Sequence, residues 1–195
     1  MNNLKPGSKV VIFSATMVAL ANILSALSIG LTRIGQVGFD ISHIATFIGA
    51  IYGGPTVSFL VGLLGGIVPG INFGPLGGLG WLGLLGLPLG KSLTGFTTGV
   101  LCRFFRLNER PNASLLTILV VLLGYIPECI FTVFFFLVVV PYFLGSIGWL
   151  TLGVLIVILV KAWIEIAMMS AFMTALSGNA GFRNFVNGLT GHGSP

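Results

Sequence analysis

Long stretches without an ionisable side chain are the feature that most constrains this chain. Only 7% of its 195 residues are charged and 55% are hydrophobic, whereas about a quarter of the residues in a typical soluble domain are charged. A charged group inside hydrocarbon is costly, so such stretches are typical of segments that cross a lipid bilayer. The sequence therefore predicts an all-α integral membrane protein whose helices are embedded in the bilayer.

A helix that crosses the hydrocarbon core needs roughly 20 apolar residues, and the apolar runs predict six spans forming one transmembrane domain over residues 1–195. The approximate spans are residues 8–29, 41–53, 55–69, 88–105, 113–140 and 150–177. We expect a Gly-rich connector before the fourth span and expect Pro141 to end the fifth. Lys5 and Lys9 precede the first run as in a secretory signal, but the run is longer than a signal core, which favours a retained span.

The second predicted helix decides the topology. Residues 41–53 reach only about 20 Å at 1.5 Å per residue, short of a hydrocarbon core of about 30 Å. We therefore expect this helix to begin before Ile41 or the bilayer to thin around it. With six spans, Arg33 is the only basic residue in an outside loop, and six basic residues lie on the other side of the membrane: Lys5, Lys9, Arg103, Arg106, Arg110 and Arg183. Cytoplasmic loops are enriched in Lys and Arg, so both termini are predicted in the cytoplasm of a multi-pass cell-membrane protein.

Several classes of function are disfavoured. The formal net charge is +5, but the nine Lys and Arg residues are spread along the chain, which argues against a nucleic-acid surface. Cys102 and Cys129 lie in apolar runs and are interpreted as small core side chains. Residues 86–92 resemble a nucleotide-binding loop, but only three residues separate the glycines and no strand can precede them. With four acidic residues in total, we expect no enzyme, no metal site and no cofactor.

Small residues recur four positions apart, a spacing that lets helix backbones approach closely in a membrane. Such pairs serve either packing inside the protein or docking of a partner, and we interpret most as internal packing. They are Ala15 and Ala19, Gly49 and Gly53, Gly62 and Gly66, Gly86 and Gly90, and Gly95 and Gly99.

Three of these segments carry a resemblance to a known family. The sequence ATMVA at residues 15–19 is similar to an Ala-x-x-x-Ala motif, and GAIYGGP at residues 49–55 leads into GLLGG at residues 62–66. In this order, over nearly the whole chain, they resemble the substrate-binding S component of energy-coupling factor (ECF) vitamin transporters. The resemblance implies high-affinity binding of a vitamin or related micronutrient. It also implies docking, through Ala15 and Ala19, on a transmembrane T component that works with two cytoplasmic ATPase subunits.

In the resembling family the cargo binds in the outer half of the last three helices, under two outer loops. Position then implies a set of cargo contacts in the helices: Lys91, Glu128, Tyr142, Trp149 and Lys161. It also implies contacts from the covering loops: Arg33, His43, Asn72 and Trp81. Aromatic rings would stack on a flat heterocycle, while Lys and Glu would hold a carboxylate or an amine of the cargo.

Each of these residues also has a structural interpretation. Lys161 and Glu165 can pair on one helix face, Lys91 can extend to the membrane surface, and Glu128 can be protonated in hydrocarbon. Trp81 and Trp149 fit an interfacial aromatic belt, and His43 fits a polar cap more readily than a metal ligand. At the level of function, the alternative is a small channel or structural subunit that binds no cargo.

Overall fold

The computed structural model describes residues 6–31, 40–107, 114–145 and 149–190. These residues are almost entirely helical and contain no strand. The helices are α1 Pro6–Leu31, α2 His43–Ile48, α3 Pro55–Gly65, α4 Ile67–Phe73, α5 Gly80–Phe104, α6 Ser114–Phe134, α7 Val140–Leu144, α8 Trp149–Gly178 and α9 Ala180–Thr190. Two π-helical turns extend them: Gly49–Gly53 continues α2, and Phe135–Val139 joins α6 to α7.

Four helical segments in the described part of the chain are long and apolar enough to cross a membrane. They are Gly7–Gly30, Pro55–Phe73, Leu115–Leu144 and Leu152–Gly178. Their outward faces carry large apolar side chains such as Leu115 and Phe143, which water would not favour. The prediction of an all-helical, membrane-embedded protein agrees with this architecture.

The helix that carries Lys91 begins at Gly80, eight positions before the predicted residue 88, so the Gly-rich connector is much shorter than expected. The glycines of this segment allow the backbones of neighbouring helices to come into contact, and they do not prevent the segment from forming a helix. A Cβ on Gly74 would lie 2.6 Å from the carbonyl oxygen of Gly80, and one on Gly83 would lie 2.6 Å from the Cα of Gly74. Gly78 and Gly80 have positive φ angles of 89° and 54°, which glycine adopts without steric cost.

Pro141 does not end the fifth predicted span, because the helix continues through it to Leu144. The π-helical turn Phe135–Val139 lies immediately before this proline. Proline lacks an N–H and clashes with the carbonyl one turn earlier, and a wider turn is one way in which a helix accommodates such a defect.

The segment after the sixth predicted span contains a further helix, α9, which packs on α1, α8 and the turn after α2. Val186 and Thr190 are buried on one side of α9, whereas Phe185 is exposed on the other. Phe182 contacts the ring of Tyr52 edge-on, with ring centroids 6.0 Å apart. Apolar residues spaced about one turn apart therefore hold α9 against the bundle, although the segment has a polar composition.

The predicted glycine pairs pack inside the protein, mainly between α3 and α5. A Cβ on Gly66 would lie 2.5 Å from the Cα of Pro88, and one on Gly99 would lie 2.6 Å from the Cα of Pro55. Ser58 donates a hydrogen bond across the same interface to the carbonyl of Gly95 at 2.7 Å. The two backbones are therefore in direct contact, as the small-residue spacing predicts.

Such contacts also show which helix ends lie together and how α6 runs relative to α5. Gly54 lies beside the Arg103 guanidinium, and α9 packs on the adjacent turn, so these groups share one end of the bundle, called here the Arg103 end. Gly86 contacts Phe135 and Gly124 contacts Thr98, so α6 runs antiparallel to α5. The opposite end, called the Trp81 end, contains the start of α5 and helix α7.

Asn22 of α1 bridges the break between α3 and α4. Its Nδ2 donates to the carbonyl of Leu64 at 3.0 Å, and its Oδ1 accepts from the N–H of Val68 at 3.1 Å. Backbone groups freed at a helix break have no water to bond with in hydrocarbon. One side chain of α1 therefore satisfies both sides of this break.

Asn22→Leu, which keeps a side chain branched at Cγ, is expected to lower the free energy of unfolding by about 1–3 kcal/mol, because it removes the hydrogen-bond partner of two backbone groups at the break between α3 and α4. Thermal unfolding in detergent micelles would measure the loss. Thr16→Val is the matched control, because Thr16 bonds only the Ile12 carbonyl of its own helix. Equal unfolding temperatures for the two variants would contradict the bridging role of Asn22.

Candidate functional site

A cluster of polar and charged side chains lies at mid-height in the bundle, enclosed by four helices and by residues 40–42, which precede α2 and are called here the connector. We call it the midplane cluster, and it consists of Asp40, Ser42, His43, Lys91, Thr94, Glu128, Lys161 and Glu165. Lys91 is near the middle of α5, Glu128 near the middle of the helix formed by α6 and α7, and Lys161 near the middle of α8. Ionisable residues at this depth mark functional sites by default.

Lys91 is the least exposed of the charged side chains in the described ion pairs of the cluster. Its side chain is 4% exposed, and its Nζ lies 2.5 Å from Oδ2 of Asp40. The same ammonium donates to the hydroxyl of Ser42. Lys91 therefore does not extend to the membrane surface, and it ties α5 to the connector that precedes α2.

Lys161 and Glu165 form the pair that their spacing allows, with Nζ and Oε1 3.2 Å apart. Glu165 has a second role, because the same carboxylate oxygen accepts a hydrogen bond of 2.6 Å from the backbone N–H of Asp40. Glu165 thus connects α8 to the connector. The sequence spacing indicated the ion pair but not this longer-range contact.

The connector is non-helical backbone inside the bundle, and side chains satisfy its N–H groups. Besides the Asp40 N–H, that of Ile41 donates to the Ser28 hydroxyl at 3.3 Å. The N–H of Ser42 donates to Oδ1 of Asp40 at 2.9 Å. Such backbone is tolerated at membrane depth only where it is buried in protein or lines a cavity.

Helix α2 is short because it starts at the midplane cluster. The segment His43–Gly53 is about 16 Å long at 1.5 Å per residue and runs from the cluster to the Arg103 end. Five of its first six side chains are buried, and it contacts α1, α3, α5 and α8. The expectation of a helix that begins before Ile41 is wrong for the described residues, since α2 begins at His43. Discontinuous helices that begin at mid-membrane are typical of binding sites in transporters.

Glu128 and His43 form the remaining part of the cluster. The His43 Nε2 lies 3.7 Å from Oε1 of Glu128, and the Thr94 hydroxyl donates to Oε2 of Glu128 at 2.5 Å. Gly90 makes room for this carboxylate, because a Cβ there would lie 3.3 Å from the Glu128 Cγ. The His43 Nδ1 is buried and has no hydrogen-bond partner among the described residues.

The structure brings four of the predicted cargo contacts together, namely Lys91, Glu128, Lys161 and His43. It places Asn72, Trp81 and Tyr142 at the Trp81 end instead. Trp81 and Tyr142 are 75% and 82% exposed, as expected of an interfacial aromatic belt, and Asn72 is half-buried. Trp149 is the first residue of α8, and Arg33 lies outside the described residues.

Ala15 and Ala19 differ from the glycine pairs. Both are exposed on α1, whereas the glycines of α3 and α5 face neighbouring helices inside the bundle. Ile23 and Leu27 extend the same exposed side of α1 toward its other end. The alanine pair therefore forms a smooth part of an outward-facing apolar surface.

Asp40, Ser42, Thr94 and Glu165 are members of the cluster that the predicted site did not include. Asp40 belongs to a polar stretch between two apolar runs, where an acidic residue is normally solvated. Comparison of the chain with protein-family models, with curated protein sequences and with solved structures finds no match.

Proposed function

We propose that the chain is the membrane-embedded S component of an ECF-type importer, which binds a vitamin or related small micronutrient. The observation that carries this proposal is the midplane cluster. A bundle that served only as a structural subunit would need no ion pairs in hydrocarbon, since apolar packing is at least as stable. Charged groups gathered around the start of a discontinuous helix are instead what a polar cargo requires.

We further propose six crossings with both termini in the cytoplasm. When the π-helical turns and the break between α3 and α4 are included, the described residues form seven consecutive helical segments. Six of them precede α9, and the second of these, His43–Gly53, begins at the midplane cluster. Arg103 and α9, which contains Arg183, lie at one end, and Lys9 is in the first turns of α1. A basic end of this kind is favoured on the cytoplasmic side.

In this assignment the chain has no enzymatic activity of its own. A T component docks on the exposed side of α1 around Ala15 and Ala19, and two cytoplasmic ATPase subunits supply the energy for release of the cargo. The cargo enters from the Trp81 end, which faces outward, and binds at the midplane cluster.

Binding of a panel of vitamins and precursors to the purified chain, without nucleotide or partners, tests the proposal. We expect one compound to bind at one molecule per chain with a Kd below about 1 μM, equivalent to roughly 8 kcal/mol. Native mass spectrometry of protein from rich medium would reveal a copurifying molecule of the same mass.

The matched variants are Glu128→Gln in the cluster and Ala167→Leu on the exposed side of α8. Only the first is expected to weaken binding. A folded protein that binds none of the panel would contradict the proposal. Flux of ions through liposomes that contain the chain alone would favour a channel.

A further inference from the structure

The midplane cluster has an excess of negative charge when counted over the described residues. Three carboxylates, Asp40, Glu128 and Glu165, face two ammonium groups, Lys91 and Lys161, so the sum is 2 − 3 = −1 with His43 neutral. A single uncompensated charge buried in a low-dielectric interior costs several kcal/mol. One positive charge at this site would make the cluster neutral.

The contacts show where that charge belongs. Lys91 lies 2.5 Å from Asp40, and Lys161 lies 3.2 Å from Glu165, so two of the three carboxylates have an ammonium partner. Among the described residues, the polar partners of Glu128 are the Thr94 hydroxyl at 2.5 Å and the His43 ring at 3.7 Å. Its side chain is 13% exposed, so water does little to offset its charge.

His43 provides a second, independent observation. The residue is 7% exposed, and its Nδ1 has no partner among the described residues. A buried polar atom without a partner costs about 1–3 kcal/mol. The ring therefore presents Nε2 to Glu128 and has unfilled bonding capacity at Nδ1.

We infer that Glu128 and His43 form a binding site for one positive charge, held as a proton in the empty protein and exchanged for the cationic group of the cargo. When the cargo cation enters, the proton leaves for the aqueous phase, so the charge of the cluster stays the same. The second half of this inference rests on the proposed function and assigns the cargo to the monocationic class.

The neighbouring ionisable groups set the affinity for this charge. Lys91 of α5 and Lys161 of α8 oppose a cation, whereas Asp40 of the connector and Glu165 of α8 favour it. Tyr125 of α6 also interacts electrostatically with Glu128. Removing the carboxylate of Asp40 or Glu165 should therefore lower the affinity for the positive charge, although Glu128 and His43 still form the site.

Protonation of the site is tested without any cargo. The full chain in lipid is titrated over pH and followed by infrared difference spectroscopy. We expect the carbonyl band of a protonated carboxylic acid, which is absent in Glu128→Gln and present in Glu128→Asp. In Glu165→Gln the band should persist but disappear at a lower pH, because a like charge has been removed. A band that survives in Glu128→Gln, or a Glu128 that is ionised at every pH at which the protein is folded, would overturn the inference.

The cation is tested with three vitamins as probes: thiamine, which carries a positive charge, riboflavin, which is neutral, and biotin, which is an anion. Calorimetry in buffers of different ionisation enthalpy counts the protons released. We expect only the cationic probe to bind, with release of one proton. In the pH range in which the proton occupies the site, the affinity should fall about tenfold for each unit by which the pH is lowered. Glu128→Gln should weaken this binding by roughly 100-fold or more.

The outcomes separate the two proposals. Tight binding of riboflavin or biotin without proton release would overturn the cationic cargo and leave the S-component assignment standing. If none of the three probes, nor any other vitamin, binds while the Glu128 band is present, the cargo proposals fail together and the proton site stands. Binding of thiamine without proton release would overturn the exchange.

Discussion

Lys91→Met is expected to lower the free energy of unfolding by about 3–5 kcal/mol, the typical cost of removing one partner of a buried ion pair. The ammonium of Lys91 is the group that compensates Asp40 at 2.5 Å. Without it, the connector would hold an unpaired carboxylate inside the bundle, directly before α2. Thermal unfolding of the purified protein in detergent, together with its yield from membranes, would measure the loss.

Two further variants make this prediction specific. Lys161→Met should cost less than Lys91→Met, because Lys161 is 23% exposed and Glu165, the carboxylate that it leaves behind, keeps its hydrogen bond from the Asp40 N–H. Adding Asp40→Asn to Lys91→Met removes the unpaired charge and should recover most of the loss, because a neutral pair avoids the desolvation cost. If Lys91→Met unfolds no earlier than Lys161→Met, or if the double variant is no more stable, the ion pair does not hold the connector in place.

The long helices could be predicted from the sequence because hydrocarbon imposes a simple rule on composition. The predicted span over residues 8–29 corresponds to α1 at Pro6–Leu31, and that over residues 150–177 corresponds to α8 at Trp149–Gly178. This rule predicts helix length less well for a helix that is surrounded by protein and not by lipid. Helix α2 is buried by its neighbours, so its length follows from the position of the midplane cluster and not from the thickness of a bilayer.

Two of the errors at helix ends, the start of α5 and the effect of Pro141, came from applying average local preferences. Residues 80–87 are rich in glycine, which disfavours an isolated helix, yet the contact with α4 stabilises α5 there. Pro141 cannot donate a hydrogen bond, but the π-helical turn before it lets the helix continue. In the first case the competing interaction involves another helix. In the second it is a wider turn within the same helix, which a regular helical pattern does not contain.

The candidate site was predictable only in part, for a similar reason. Lys91, Glu128 and Lys161 stand out because each is a charged residue within an apolar run. Asp40 does not stand out, since it belongs to a polar stretch, and only the tertiary structure shows that this stretch enters the bundle. Its contact with Lys91 joins residues that are 51 positions apart, a separation that no local pattern can indicate.

Under the proposed function, Ala15→Leu combined with Ala19→Leu is expected to abolish uptake while leaving cargo affinity within about twofold of the original. Both residues are exposed on α1, so the larger side chains add volume outside the bundle and do not reach the midplane cluster. Against a closely packed partner, overpacking costs about 1–3 kcal/mol per site, and two sites would reduce assembly by at least about tenfold.

The chain offers a close control for this prediction, since Ala167 and Ala171 of α8 are also exposed and four positions apart. Ala167→Leu combined with Ala171→Leu adds the same volume to another outward-facing helix, so it should leave both uptake and binding near their original values. Uptake of the labelled vitamin is measured in cells that also contain the T component and the ATPases, and binding is measured on each purified variant. If the α1 variant transports normally, the alanine pair is not a docking face. If both variants lose uptake equally, the loss reflects altered contact with lipid, and the outward side of α1 has no special role in recognising a partner.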